Sequence, residues 1–89
     1  MSRQRSMEKI LASQYVSIGE LSKLTGCRYS TLKFYTEEGM LPFEQEEANL
    51  TRRYKREENV ERVARILRLR EAGKTVPEVK EILRGRGNG

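Results

Sequence analysis

Eighty-nine residues, 36% of them hydrophobic and 35% charged, make one small domain, because a domain usually takes ~100–150 residues. With no His, no Trp and one Cys (Cys27), the chain has no disulfide framework, no zinc ligand set and no imidazole for acid–base work. Its longest apolar run, Ile10 to Ala12, is too short for a membrane-spanning helix or a signal-peptide core, so a soluble, cytoplasmic protein is expected. Eighteen Lys+Arg against thirteen Asp+Glu leave a net charge of +5, which suits a polyanionic partner, although the total alone fits the plain solvation of a small protein's faces equally well. The charge is segregated: residues 36–50 carry five acids and no base, with basic stretches on both sides.

In chain order, Met7, Ile10 and Leu11 have helical spacing within a short N-terminal arm, residues 1–15. So short a helix is marginal in water and needs a surface to lie on. Ser17-Ile18-Gly19-Glu20 reads as a capping box that opens a helix through Leu21 and Leu24, stopping at Gly26. A second helix covers roughly Tyr29 to Glu38, with Leu32 and Tyr35 facing inward. Two short helices joined through a Gly-containing turn are the sequence form of a helix-turn-helix. Pro42 biases Met40 to Phe43 towards an extended element. Leu50 to Tyr54 is expected to return against it as a two-stranded hairpin, or wing, across a polar, acidic loop. From Glu57 a third long helix places Val60, Val63, Ile66 and Leu67 on one face and ends at Gly73. Thr75-Val76-Pro77-Glu78 is a second capping box before a last helix bearing Val76, Val79, Ile82 and Leu83. The expected organisation is an arm over residues 1–15, a domain over 16–84 and a flexible tail over 85–89.

The run Ser17-Ile18-Gly19-Glu20-Leu21-Ser22-Lys23-Leu24-Thr25-Gly26-Cys27, then Thr31-Leu32-Lys33-Phe34-Tyr35, then Gly39-Met40-Leu41-Pro42, then Arg52-Arg53-Tyr54 closely resembles the DNA-binding domain of MerR-family regulators. Leu69-Arg70-Glu71-Ala72-Gly73 and Val79-Lys80-Glu81-Ile82-Leu83 resemble that domain's closing helices, so the likeness runs over about residues 16–83. The resemblance implies a mainly α fold: a MerR-like winged helix-turn-helix with a short two-stranded wing and a C-terminal helix pair. It also departs from the family pattern. Arg28 stands where the family has a capping Ser, and Phe34 replaces the first of two tyrosines and forfeits a hydroxyl that the family places near the DNA backbone. Family members normally continue into a long dimerising helix and an effector domain, whereas a glycine-rich tail follows Leu83 here.

The residues expected to touch DNA are Arg28, Tyr29, Ser30, Thr31 and Lys33 on the second helix, and Arg52, Arg53 and Tyr54 on the wing. Arg28 suits a guanine edge and Lys33 a phosphate. Phe34 is ambiguous between the core and an apolar touch on a thymine methyl or a sugar. Side chains alternate along a strand, so one of Arg52 and Arg53 should face DNA while the other pairs with an acid such as Glu44 or Glu46. Tyr54 is expected to donate to a phosphate oxygen. Arg62, Arg65 and Arg68 read as either DNA-backbone contacts or a solvated side of the third helix, with a slight preference for the second, and Cys27 reads as a small buried hydrophobe.

The function expected is sequence-specific binding of double-stranded DNA by a small transcriptional regulator, with no enzymatic activity and no cofactor or metal. Copies are expected to associate on DNA or through Met7, Ile10 and Leu11 of the arm. An excisionase-like architectural protein that bends DNA, and a winged-helix module that docks a protein, are the alternatives.

Overall fold

The computed structural model describes residues 6–48 and 50–85. The first five residues of the arm, Asn49, and the expected tail beyond Gly85 lie outside them. The elements run α1 (Met7–Ala12), β1 (Tyr15–Val16), α2 (Ile18–Thr25), α3 (Tyr29–Glu37), β2 (Tyr54–Lys55), α4 (Arg56–Glu71) and α5 (Val76–Leu83).

Local chemistry sets most helix ends. The Ser17 hydroxyl accepts from the Glu20 amide, and the Glu20 carboxylate accepts from the Ser17 amide at 2.9 Å. Together these satisfy two donors that a bare helix start would leave unpaired. Thr75 and Glu78 repeat the arrangement at α5. There the hydrogen bond from the Thr75 amide holds the Glu78 carboxyl below its ordinary pKa. Gly26 closes α2 at φ 74°, a left-handed conformation that a side chain would disfavour.

Ile10, Val16, Leu21, Leu32, Tyr54, Val63, Ile66 and Val79 are almost wholly buried in one core. α2 packs against both α3 and α4, and α4 against α5. Full burial of an aliphatic side chain contributes ~1.5–3 kcal/mol. The half-exposed ion pair from Lys80 to Glu38, 3.1 Å long, adds at most ~1 kcal/mol. Apolar packing, then, holds the helices together, and the ion pair only trims the fit of α5 to the end of α3. Leu67 departs from expectation. It is exposed, and Leu69 packs against the core in its place, because the apolar stripe of α4 drifts along the helix towards α5.

The sheet is not the hairpin expected from sequence. β1 pairs antiparallel with β2, Tyr15 opposite Lys55 and Val16 opposite Tyr54. The expected wing pairing is reduced to a single antiparallel bridge, Glu44 opposite Arg53, with both backbone hydrogen bonds at 2.8 Å. The residues over 53–55 thus lie between the end of the arm and the start of the wing. Neither flank has a long β-branched run, so burial of Val16 and Tyr54 selects the pairing, not strand propensity.

The arm is correspondingly part of the domain. Ile10 sits in the core while Met7 and Leu11 are exposed. Arg56 ties the end of the arm to α4: its amide donates to the Gln14 carbonyl at 2.9 Å and its Nε to the Ser13 carbonyl at 2.8 Å. The expectation that Ile10 packs against a neighbouring copy is therefore corrected, and a boundary between residues 15 and 16 falls inside β1.

Candidate nucleic-acid interface

The turn between α2 and α3 is fastened by short-range hydrogen bonds. Ser22 Oγ donates to the Cys27 carbonyl at 2.6 Å, Thr25 Oγ1 donates to the Leu21 carbonyl at 2.8 Å, and the Cys27 amide donates to Thr25 Oγ1 at 3.2 Å. Cys27 is buried beneath them. Its burial pushes the thiol pKa up, against a smaller lowering by the hydrogen bond from the Arg28 backbone. A thiol held protonated in this way is a packing group and a poor nucleophile.

α3 buries Leu32, Tyr35 and Thr36. Its opposite side exposes Arg28, Tyr29, Ser30, Lys33 and Phe34, while Thr31 is half-buried on the flank. Arg28 precedes the helix and makes no side-chain cap to it, which leaves its guanidinium out of the helix's own hydrogen bonding. Tyr29 and Lys33, one turn apart, form one wall of an open cleft of about 460 Å³, and Leu50, Thr51 and Arg52 of the wing line the other side.

The two wing arginines are directed to opposite faces. Arg52 lies across the Phe43 ring, its guanidinium carbon 4.9 Å from the ring centre, and borders the cleft with Lys33. Arg53 lies over the Tyr15 ring at 4.6 Å. The Tyr15 hydroxyl in turn donates to the Glu44 carboxylate at 2.9 Å. Strand alternation explains the split, since Tyr15, Glu44 and Arg53 share the face turned away from the core. Each ring contact adds ~0.5–1 kcal/mol at an exposed site, enough to bias a guanidinium's direction without immobilising it.

A family model described as MerR HTH family regulatory protein matches residues 16–86. The chain belongs to the MerR HTH regulatory family. It is accordingly a DNA-binding transcription regulator whose partner is double-stranded DNA, and its mainly helical fold is a MerR-like winged helix-turn-helix. A search of the curated proteins gave no match. Among the described residues no helix is long and apolar enough to cross a membrane, and no group of His, Cys, Asp or Glu could hold a metal ion.

In this MerR-family chain the Tyr54 of Arg52-Arg53-Tyr54 is a core residue, 0% exposed. Its hydroxyl meets Thr36 Oγ1 at 3.0 Å, and Thr36 already donates to the Leu32 carbonyl at 2.8 Å. Thr has one hydroxyl proton, so Tyr54 is the donor and Thr36 the acceptor. The expected donation to phosphate is thereby corrected: the hydroxyl is spent inside the MerR domain, linking β2 to α3. Arg62 is likewise not simply solvated. Its Nη1 donates to the Met40 carbonyl at 3.0 Å, while Arg65 and Arg68 are exposed.

Sequence reasoning missed the residues that place the MerR wing. Gln45 Nε2 donates to the carbonyls of Ala48 and Leu50, gathering the acidic loop into a closed turn that borders the cleft. Asn59 Nδ2 donates to the carbonyls of Pro42 and Lys55, at 3.1 and 2.9 Å. A Gln between acids and an Asn inside a polar helix start look like solvated surface. The Gln45 turn is local but has no residue signature, and the Asn59 contact to Pro42, 17 positions away, closes only on folding.

Proposed function

We propose that this chain is a sequence-specific regulator that seats α3 in the major groove and grips the neighbouring sugar–phosphate backbone with the wing. The observation that carries this reading is the pair Lys33 and Arg52, facing one open cleft from two separate elements. Two cations flanking a trough suit a phosphodiester that runs between helix and wing. Arg28, Tyr29 and Ser30 sit in the first turn of α3, the part of a recognition helix that meets base edges. Arg28 forks onto a guanine, Thr31 touches backbone from the flank, and Arg53 supplies a second, outer phosphate contact. Glu46 and Glu47 are exposed and are not among the residues that line the cleft.

One module of this type buries only ~600–1,000 Å² on DNA. Useful affinity therefore comes from copies bound together, side by side on DNA or through the exposed Met7 and Leu11.

Selection of bound duplexes from a random pool tests the reading. A recovered motif is expected, and its repeat, direct or inverted, reports how copies are arranged. Affinity should fall steeply with salt, with a logarithmic slope of ~0.9 per phosphate neutralised. Joint substitution of Lys33 and Arg52 by Ala should flatten that slope by about two phosphates. Retention of all sequences alike, or a slope unmoved by the double substitution, would refute it.

A further inference from the structure

The solvent side of α3 is not uniformly basic. Ser30, Phe34 and Glu37 are all exposed, and their spacing of i, i+4 and i+7 puts them on one ridge. Arg28 stands ahead of this ridge, and Lys33 lies beside it on the wing side, within the cleft. The middle of the helix surface thus presents a hydroxyl, a phenyl ring and a carboxylate, with no cation among them.

Such a ridge is a poor neighbour for phosphates. Glu37 would be repelled by them, and the Phe34 ring, 45% exposed with Tyr35 at 5.8 Å as its ring neighbour, would find no apolar contact among anionic oxygens. The floor of a major groove is different. Thymine displays a C5-methyl there and cytosine an amino donor, which suit a phenyl ring and a carboxylate respectively. The placement of cations to the sides and of Phe34 and Glu37 along the centre turns the ridge towards base edges and the flanks towards backbone.

We propose that Phe34 is a specificity-determining residue that reads a thymine C5-methyl in the major groove, with Glu37 keeping the ridge off the phosphates. The proposal rests on the reading that α3 enters that groove. It goes beyond that reading in assigning sequence preference to an apolar contact as well as to hydrogen bonds.

The test uses a duplex recovered from the random pool and the same duplex with deoxyuridine in place of thymine, one position at a time. The replacement removes a methyl and leaves pairing and backbone intact. Wild-type protein should lose about fourfold in affinity at one or two positions, the worth of one buried methyl. Phe34→Ala should bind the thymine and uracil duplexes equally, whereas Phe34→Leu should keep part of the discrimination. Circular dichroism of each variant separates lost contact from lost folding, and a half-exposed ring should cost little stability. Equal wild-type binding to both duplexes overturns the proposal, as does discrimination that persists in Phe34→Ala. An equal loss by Phe34→Ala on both duplexes, with no wild-type discrimination, would place the ring on a sugar and overturns it too. If wild-type protein binds no duplex at all, the major-groove reading itself fails, a result separate from the others.

Discussion

The helix-turn-helix and the wing face the same cleft but are held in place by different kinds of contact. Around α2 and α3 the fastening hydrogen bonds span two to five residues: Ser17 with Glu20, Thr25 with Leu21, Ser22 with Cys27. The wing is fastened at a distance, Tyr15 to Glu44 across 29 positions, Thr36 to Tyr54 across 18 and Asn59 to Pro42 across 17. Local fastening fixes the geometry of the turn that joins the two helices, while their stability still comes from the shared core. Remote fastening makes the position of the wing a property of the finished core, so core damage should reach Arg52 before it reaches Lys33.

The largest expected effect comes from removing the residue on which the wing depends. Tyr54→Ala should destabilise the domain by ~3–5 kcal/mol, because it empties a fully buried aromatic site. Denaturant unfolding measures the loss, and weakened DNA binding should accompany it even where the helices remain by circular dichroism. Tyr54→Phe sharpens the point. It should cost only ~0.5–1.5 kcal/mol for one hydrogen bond and leave DNA affinity unchanged wherever the protein is folded. A large affinity loss with native stability would return the hydroxyl to the DNA interface.

Next in size is the contrast between neighbouring arginines. Arg52→Ala should weaken DNA binding by about tenfold and lower the salt slope by ~1. Arg53→Ala should have the smaller effect on binding, its guanidinium lying over Tyr15 on the other face. Fluorescence titration at two salt concentrations measures both. Equal losses would mean that the wing turns on binding DNA.

On the helix-turn-helix side, Ser17→Ala removes one cap of α2 and should cost ~1 kcal/mol in thermal or denaturant unfolding. Its effect on DNA affinity should follow stability alone, since the Ser17 hydroxyl is engaged by the Glu20 amide and does not line the cleft. A loss of affinity without loss of stability would break that separation.

The smallest effect concerns pH. Glu78 has its carboxyl lowered by the hydrogen bond from Thr75. A carboxyl lowered on folding contributes stability above its ordinary pKa, and that contribution disappears as pH falls through the lowered folded value. Thermal melts taken below about pH 5 should therefore show α5 losing its cap, by an amount small enough to need wild type and Glu78→Gln compared side by side. The neutral amide can still cap the helix, and the variant should lack this part of the acid dependence. An identical acid slope in both proteins would remove the Glu78 contribution.

Much of this was legible in the residues themselves. Helix starts at Ser17 and Thr75, stops at Gly26 and Gly73, and the inward positions Leu32, Tyr35, Val63 and Val79 follow from capping chemistry and a 3.6-residue period, which act over a few positions of chain. The exposure of Arg28, Tyr29, Ser30 and Lys33 follows from the same period once Leu32 and Tyr35 are turned inward. What could not be read is where the extended pieces pair. Short extended stretches such as Tyr15–Val16 and the one around Arg53 are too brief for residue preference to fix a partner, even where Tyr and Val favour strands, and their partners are chosen by which side chains the core can cover. Burial of Val16 and Tyr54 together drew the arm into the sheet, took the Tyr54 hydroxyl away from DNA and decided which of Arg52 and Arg53 borders the cleft, their split alone being legible from strand alternation. Helical order is encoded within a turn or two of chain, whereas the wing's geometry depends on packing among segments far apart in sequence, and only the folded core could decide it.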